Sequence, residues 1–185
     1  MNKEHQTHVK KDSYVKKHKN KKIKKNFKIS LITISTSRYH KYIKNIDFSD
    51  EAYENAKEYL LKNNCKIIEK RIIDDNKQNI EENIFELIKG ESEVIILMGG
   101  TGLTKDDITV ETTRKLFDRE IEGFGELFRQ ISFNEIGTSA YLTRATAGII
   151  KDRVVYCLPG SPEAVKTALK IIMPELNHIL YLIQS

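Results

Sequence analysis

The segment best suited to chemistry joins a glycine-rich turn to two adjacent carboxylates. An apolar run, Val94–Leu97, predicts a buried strand, and Asp106 and Asp107 follow the turn, which consists of Gly99, Gly100, Thr101 and Gly102. Three glycines in four residues let backbone N–H groups approach a phosphate closely, and a carboxylate beside them can hold Mg²⁺ on that phosphate. The segment therefore predicts a phosphate-binding loop at the carboxyl end of a strand.

This loop departs from two familiar phosphate-binding patterns. A Walker A loop needs a glycine directly before its lysine, whereas Lys105 follows Thr104. A dinucleotide-binding fingerprint needs a further glycine near Lys105, and the sequence has none there. A tight strand-to-helix turn that binds no ligand therefore remains an alternative for this segment taken alone.

Three more loops follow predicted strands, at residues 35–38, 74–76 and 159–163. In the last of them Ser161 suits a helix N-cap and Pro162 the first helical position, which predicts a second anion site at a helix N-terminus. Asp74 and Asp107 are the candidate carboxylates for a magnesium ion shared with substrate phosphates. Helix capping is the alternative role for Asp74, because Asp-Asp-Asn is favourable capping chemistry.

The order of predicted elements would bring these loops together at one edge of a sheet. Alternating strands and helices predict an α/β fold with three layers, α/β/α, around a mostly parallel sheet. We expect a polar loop over 36–48, Ser49 as a helix N-cap, and a break of the last helix at Pro174. The predicted strands are 27–35, 66–73, 94–97, 145–150 and 154–158, and the predicted helices include those ended by Asn63 and by Gly90, 108–117 and 126–132.

Composition divides the 185 residues into two parts. Residues 1–25 hold ten lysines against Glu4 and Asp12, a net charge of +8, whereas the whole chain has +5, so residues 26–185 carry −3. Few apolar side chains in the first part predict a disordered lysine-rich tail at 1–25, followed by one domain at 26–185. The net acidic domain argues against nucleic acid as a partner, although the tail could bind polyanions non-specifically.

Neither a membrane span nor a secretory leader is evident, which predicts a cytoplasmic protein. Cys65 and Cys157 lie far apart and outside any Cys-x-x-Cys pair, so we expect two buried, reduced thiols.

Four motifs in this chain, taken in order, resemble those of one family. From about Phe27 to Leu182 the chain is similar to the MoaB/Mog family of molybdenum cofactor biosynthesis proteins. The motifs are Gly99-Gly100-Thr101-Gly102 with Asp107-Ile108-Thr109, Gly123-Phe124-Gly125-Glu126-Leu127-Phe128-Arg129, Thr143-Arg144-Ala145-Thr146-Ala147-Gly148, and Leu158-Pro159-Gly160-Ser161-Pro162.

The resemblance implies a molybdopterin-binding fold, assembled as homotrimers or homohexamers, with molybdopterin adenylyltransferase activity. In that Mg²⁺-dependent reaction the terminal phosphate of molybdopterin attacks the α-phosphorus of ATP. Pyrophosphate leaves, and the adenylate then serves metal insertion, so a metal-insertion protein of the pathway is an implied partner.

The resemblance also implies roles for individual residues. Asp74 and Asp107 correspond to the essential aspartates and would hold the metal, while Gly99 to Gly102 would bind the nucleotide. The implied pterin-binding residues are Ser35, Glu126, Arg144, Pro159, Gly160 and Ser161.

Three positions depart from the family pattern. Thr36 stands where an aspartate is frequent, Thr143 where serine is frequent, and Ile73 where a proline usually precedes the aspartate. Both core aspartates remain, which favours catalysis, and the alternative function is a molybdopterin-binding protein of the same pathway without catalytic activity.

Overall fold

A six-stranded mixed sheet forms the centre of the protein in a computed structural model that describes residues 26–185. The strand order is β2-β1-β3-β6-β5-β4, in which β2, β1, β3 and β6 run parallel and β5 is antiparallel to both its neighbours. The α/β class and mostly parallel sheet are confirmed. The predicted disordered tail at 1–25 lies outside the described residues. None of the helices formed by residues 26–185 has the length and hydropathy of a membrane span.

Strands and helices alternate through most of the chain. The strands are β1 (Phe27–Ile34), β2 (Cys65–Ile73), β3 (Val94–Met98), β4 (Arg119–Glu120), β5 (Thr146–Ile150) and β6 (Arg153–Leu158). The helices are α1 (Thr36–Ile43), α2 (Glu51–Lys62), α3 (Lys77–Lys89), α4 (Thr109–Arg114), α5 (Glu122–Ile136), a 3₁₀ helix (Gly137–Leu142) and α6 (Pro162–Ile183).

Two hydrophobic cores, one on each side of the sheet, create the three layers. Alternate residues of β1 point to opposite faces, so Ile29 and Leu31 pack in one core while Ile32 and Ile34 pack in the other. Helices α2, α5 and α6 cover the first face, and α3 and α4 cover the second. The sheet is thereby buried on both sides, as parallel strands require.

The first two helices differ from the sequence prediction. The predicted polar loop at 36–48 is wrong, because α1 begins there after Ser35, whose hydroxyl accepts from the Arg38 amide at 3.4 Å. This helix buries none of its residues, so hydrophobic periodicity could not reveal it. The N-cap of α2 is Asp50 and not Ser49, since the buried Asp50 carboxylate accepts from the Tyr53 amide at 3.2 Å.

Helices α4 and α5 have other bounds than predicted. Helix α4 ends at Arg114, and the chain then turns so that the Phe117 ring packs over Gly148, where a Cβ would lie 2.3 Å from that ring. Helix α5 starts four residues earlier than predicted and includes two glycines. One of them, Gly125, must be glycine because it approaches the Ala145 carbonyl too closely for a side chain.

The predicted break at Pro174 is also wrong, since α6 continues through it. Proline removes one backbone hydrogen bond, but Ile172 and Leu176 on either side are buried in the core and hold the helix together.

Candidate functional site

Four loops meet at the carboxyl edge of the parallel strands. The amide of Ser35, after β1, donates to the Ile73 carbonyl at the end of β2 at 2.9 Å. The amide of Gly99, after β3, donates to the Leu158 carbonyl at the end of β6 at 2.9 Å. A Cβ on Gly160 would lie 3.3 Å from the Gly99 Cα. The four loops that the sequence singled out therefore lie side by side at one edge of the sheet.

The glycine loop, residues 99–102, needs its glycines because its backbone packs closely against neighbouring residues. Gly99 has a φ of +115°, and a Cβ there would lie 2.1 Å from the Ile34 carbonyl oxygen. Gly100 has a φ of +60°, in the left-handed region that favours glycine. A Cβ on Gly102 would lie 2.6 Å from Asp107 Oδ2. The loop is thus packed tightly between the end of β1 and the Asp107 carboxylate.

Asp107 is held by the loop that it closes. Its Oδ2 accepts from the Thr104 amide at 3.0 Å and from the Thr104 hydroxyl at 2.6 Å. Burial opposes ionisation, but these bonds, together with one from the Gly102 backbone and the charge of Arg144, lower the pKa of Asp107. The side chain is therefore a carboxylate at neutral pH, positioned beside the glycine loop.

Arg144 ties the start of β5 to the glycine loop. Its Nε donates to the Thr101 carbonyl at 3.1 Å, and its Nη2 donates to the Asp107 carbonyl at 2.9 Å. Its Nη1 donates to the Glu111 carboxylate. Burial alone would raise the pKa of Glu111, but the bond to Arg144 outweighs burial and the pKa is lowered. Three guanidinium nitrogens thus contact the protein itself, which assigns Arg144 a direct role in holding the loop.

The two aspartates after β2 point in different directions. Asp74 Oδ1 accepts from the Asn79 side-chain amide of α3 at 2.5 Å. Asp75 Oδ2 accepts from both the amide and the hydroxyl of Thr36, each at 3.0 Å. The N-cap of α3 is Asn76, so the alternative role of Asp74 as that cap is wrong. Asp75, which carries a carboxylate in the same loop, was not among the predicted site residues.

The other predicted pterin-binding residues fall into two places. Ser161 is the N-cap of α6, as predicted, and accepts from the Ala164 amide at 3.3 Å. Glu126 lies on α5, where it lines a polar cavity of about 320 Å³. Ala145 and Thr146, which follow Arg144 in the sequence, also line this cavity. Its other lining residues are Arg114, Glu120, Glu122, Gly125 and Arg129.

A metal site built by the protein alone is absent from this part of the chain. Within residues 26–185 no group of three or more His, Cys, Asp or Glu side chains could hold a metal ion. Cys65 and Cys157 are buried and free, and burial raises the pKa of their thiols to about 11 and about 12. Both thiols are therefore protonated at neutral pH and unsuited to metal binding.

Comparisons with known proteins agree with this geometry. Residues 30–178 match a family model described as "Probable molybdopterin binding domain". A relative from Methanocaldococcus jannaschii named "Probable molybdopterin adenylyltransferase" is 41% identical over 159 residues, which cover 84% of this chain and 93% of the relative. A Staphylococcus carnosus protein named "Molybdenum cofactor biosynthesis protein B" is 38% identical, covering 89% of this chain and 95% of that protein.

Solved structures of related proteins have the same fold as this chain. The tungsten cofactor synthesizing protein MoaB from Pyrococcus furiosus superposes with a TM-score of 0.78 at 40% identity, covering 88% of this chain and 99% of the other. A crystal structure of a molybdenum cofactor biosynthesis protein B gives a TM-score of 0.80 at 37% identity, with coverage of 89% and 99%. The motifs, the strand-end site and these likenesses together establish that the chain belongs to the MoaB/Mog family of molybdopterin-binding proteins.

Proposed function

We propose that this protein transfers an adenylyl group from ATP to molybdopterin, as a step of molybdenum cofactor biosynthesis. The observation that carries the proposal is the ionised Asp107 carboxylate beside a glycine loop, at a sheet edge shared with Asp74 and the N-terminus of α6. The name of the 41% identical relative supports the same chemistry.

The reaction needs positioning and charge neutralisation more than a strong base. A terminal phosphate oxygen of molybdopterin attacks the α-phosphorus of ATP, a new P–O bond forms, and the bond to the bridging oxygen breaks to release pyrophosphate. The nucleophile is already an anion, so holding two anionic substrates in line is the main task of the protein.

Each loop has a part in that task. In the glycine loop the amides of Gly99 and Gly102 already bond to Leu158 and Asp107, so the Gly100 and Thr101 amides would meet the ATP phosphates. Arg144 holds the loop from behind through the Thr101 and Asp107 carbonyls. The N-terminus of the 22-residue α6, beginning after Pro159, Gly160 and Ser161, suits an anionic group of the pterin substrate. Ser35 and Glu126 would contact the remainder of the pterin.

The residues present fit a magnesium ion shared with substrate. Mg²⁺ is usually bound through one or two carboxylates plus substrate phosphates, so the ionised Asp107, with Asp74 in the neighbouring loop, meets that requirement without a cluster of three. When bound, the ion would neutralise phosphate charge as it builds up during the transfer.

A homotrimer or homohexamer is part of the proposal. Large apolar side chains are exposed along α5 and the following 3₁₀ helix, and an exposed apolar patch of this kind is typical of a subunit interface. We call this surface the α5 patch, and it consists of Leu127, Phe133, Ile136, Tyr141 and Leu142.

Pyrophosphate release tests the proposal directly. With molybdopterin, ATP and Mg²⁺, Asp74→Ala and Asp107→Ala should each lower the rate by about 100-fold or more, because each removes a preorganised charge. Asp106→Ala is the matched control, since Asp106 is exposed and adjacent, and it should keep the wild-type rate. Molybdopterin binding should survive in all three variants.

Two results would refute the assignment. If the wild-type protein binds molybdopterin but releases no pyrophosphate, the alternative binding-only function replaces the transferase. If Asp107→Ala keeps full Mg²⁺-dependent turnover, Asp107 has no part in the reaction.

A further inference from the structure

Helix α1 has no place in the hydrophobic core of a single subunit. None of its eight residues is buried, although they form a regular helix with a capped N-terminus. Tyr39, Tyr42 and Ile43 recur at positions i, i+3 and i+4 and therefore form one apolar stripe along the helix. Tyr42 and Ile43 are 57% and 54% exposed. Exposed apolar side chains in such a group are typical of a surface that another molecule covers.

The chain leaves α1 through a tight turn that extends this stripe. The amide of Ile46 donates to the Lys41 carbonyl at 2.9 Å, and Asn45 takes the left-handed conformation that ends many helices, with a φ of +54°. Ile46, which is 51% exposed, is thereby held beside the end of the helix.

A groove runs beside the stripe, between α1 and the strand β2. Its volume is about 430 Å³, and Tyr42, Phe48, Ile72 and Ile73 supply its apolar lining. Within residues 26–185 the strand β2 pairs only with β1, so it forms one edge of the sheet. Stripe and groove together offer a partner both a protruding and a recessed apolar surface.

Charges are divided in two along the same segment. Residues 38–44 hold three Arg or Lys side chains and no acidic one, whereas residues 47–54 hold four carboxyl side chains and no basic one. The exposed members that form no ion pair with another residue of 26–185 are Lys41, Lys44, Asp47 and Glu51. We call the stripe with Ile46, the groove and these four charges the α1 surface.

We propose that two copies of this protein pair through the α1 surface about a two-fold axis. An isologous contact places the basic end of one copy opposite the acidic end of the other, and it does so twice. The apolar stripe of each copy then packs against the apolar side chains of the other. A nucleic acid or an anionic membrane would meet the carboxylates, and a polycation would meet the lysines, whereas a second copy matches both charges.

The pairing joins trimers rather than single subunits. The α1 surface lies at the β2 edge of the sheet, whereas α5 packs on β5 near the other edge, so neither contact obstructs the other. A few apolar side chains make too small a contact to hold two subunits, but two trimers form three such contacts at once. This inference rests on the proposed trimer for its stoichiometry, and the expected assembly has six subunits.

Charge reversal tests the pairing in the full chain. Lys41→Glu/Lys44→Glu should weaken the association of trimers by about 100-fold or more, because each contact then brings carboxylates together. Asp47→Lys/Glu51→Lys should have the same effect by bringing lysines together. Analytical ultracentrifugation at micromolar concentration should show six subunits for the wild type and three for either variant.

Restored complementarity separates lost pairing from misfolding. A variant that combines both reversals has its charges in exchanged order and should again form six subunits. An equal mixture of the two double variants should form mixed assemblies of six, because the basic surface of one meets the acidic surface of the other. Lys89→Glu/Lys170→Glu reverses two exposed lysines on α3 and α6 and is the matched control, which should keep six subunits. Trimers from both the combined variant and the mixture would overturn the proposal.

Hydrogen exchange locates the contact. The amides of residues 40–46 should exchange more slowly in the wild type than in Lys41→Glu/Lys44→Glu, by about tenfold or more. Equal exchange in the two proteins, or six subunits in Lys41→Glu/Lys44→Glu, would refute the pairing.

The state of the wild-type protein decides between this inference and its rivals. Wild-type trimers that bind phosphatidylserine vesicles through Lys41 and Lys44 would assign the α1 surface to a lipid membrane and overturn the proposal, as would wild-type trimers or monomers that bind no vesicles. Wild-type dimers that either charge reversal splits would uphold the pairing and refute only the proposed trimer.

Discussion

At the scale of single residues, Gly100 is a position where one added methyl group should be harmful. We expect Gly100→Ala to lower the free energy of unfolding by about 1–3 kcal/mol, because its φ of +60° disfavours a side chain and the Cβ would collide with Thr109 and Asp75. Thermal or urea unfolding measures the change, and pyrophosphate release should fall with it.

Gly123→Ala is the matched control for that substitution. Gly123 lies in α5 with nothing within 4 Å of a built Cβ, so alanine there should raise the free energy of unfolding by about 0.5–1 kcal/mol. If both substitutions destabilise the protein equally, the close contacts at Gly100 are not what makes glycine necessary there.

Asp107 should make the protein sensitive to acid. Because its pKa is lower in the folded than in the unfolded protein, the stabilisation it gives is complete above the unfolded pKa of about 4 and is lost as the pH falls through the folded pKa. Asp107→Asn should therefore lose less stability than wild type between about pH 5 and pH 2 in urea titrations.

Thr104 offers an independent check of that pH dependence. Thr104→Val removes the hydroxyl that donates to Asp107 and should also flatten the acid side of the stability curve, whereas Thr104→Ser should not. A steeper acid loss in Asp107→Asn than in wild type would contradict the stated direction of the pKa.

At the scale of elements, the N-terminus of α2 is held by Asp50. Its carboxylate is 7% exposed and accepts from the Tyr53 amide and, at 2.7 Å, from the Thr33 hydroxyl of β1. Asp50→Ala removes the cap and leaves a buried hydroxyl without its partner, so the free energy of unfolding should fall by about 2–3 kcal/mol.

Ser49→Ala is the control at the neighbouring position. Ser49 is exposed, and its replacement should change the free energy of unfolding by less than about 0.5 kcal/mol. A larger loss from Ser49→Ala than from Asp50→Ala in chemical denaturation would restore Ser49 as the cap.

At the scale of the whole molecule, the α5 patch should decide the assembly. Tyr141 is 79% exposed and Phe133 and Ile136 are each 57% exposed, which is a large apolar surface for a single subunit to leave in water. Sedimentation should show wild-type trimers or a multiple of them, and Ile136→Lys with Tyr141→Lys should give monomers, because a buried unpaired charge opposes association.

Leu61→Lys places one lysine at a 54% exposed leucine on α2, away from the α5 patch, and should leave the assembly intact. A wild-type monomer at micromolar concentration would refute the oligomer, and monomers from Leu61→Lys would place the interface elsewhere.

Local patterns in the sequence determined five of the six strands, the fold class and the loops at the sheet edge; the two-residue strand β4 was not predicted. Buried strands such as Val94–Met98 are continuous apolar runs, which a sequence shows directly. The segment Gly99–Gly102 has three glycines in four residues, a composition typical of turns and rare in helices and strands. Ser161 followed by Pro162 marked the start of α6 in the same way. These features depend on neighbouring residues, so one sequence was enough to predict them.

Contacts between distant residues decided the rest. Helix α1 and the choice of Asp50 over Ser49 follow from partners such as Thr33, 17 residues away, and not from any periodicity. Asp75 and Asp74 have the same side chain, and only the tertiary structure turns one to Thr36 and the other to Asn79. Arg144 likewise meets Thr101 across 43 residues of sequence. Which polar atoms meet depends on how the elements pack, and the free energies involved are too small for a local pattern to reveal them.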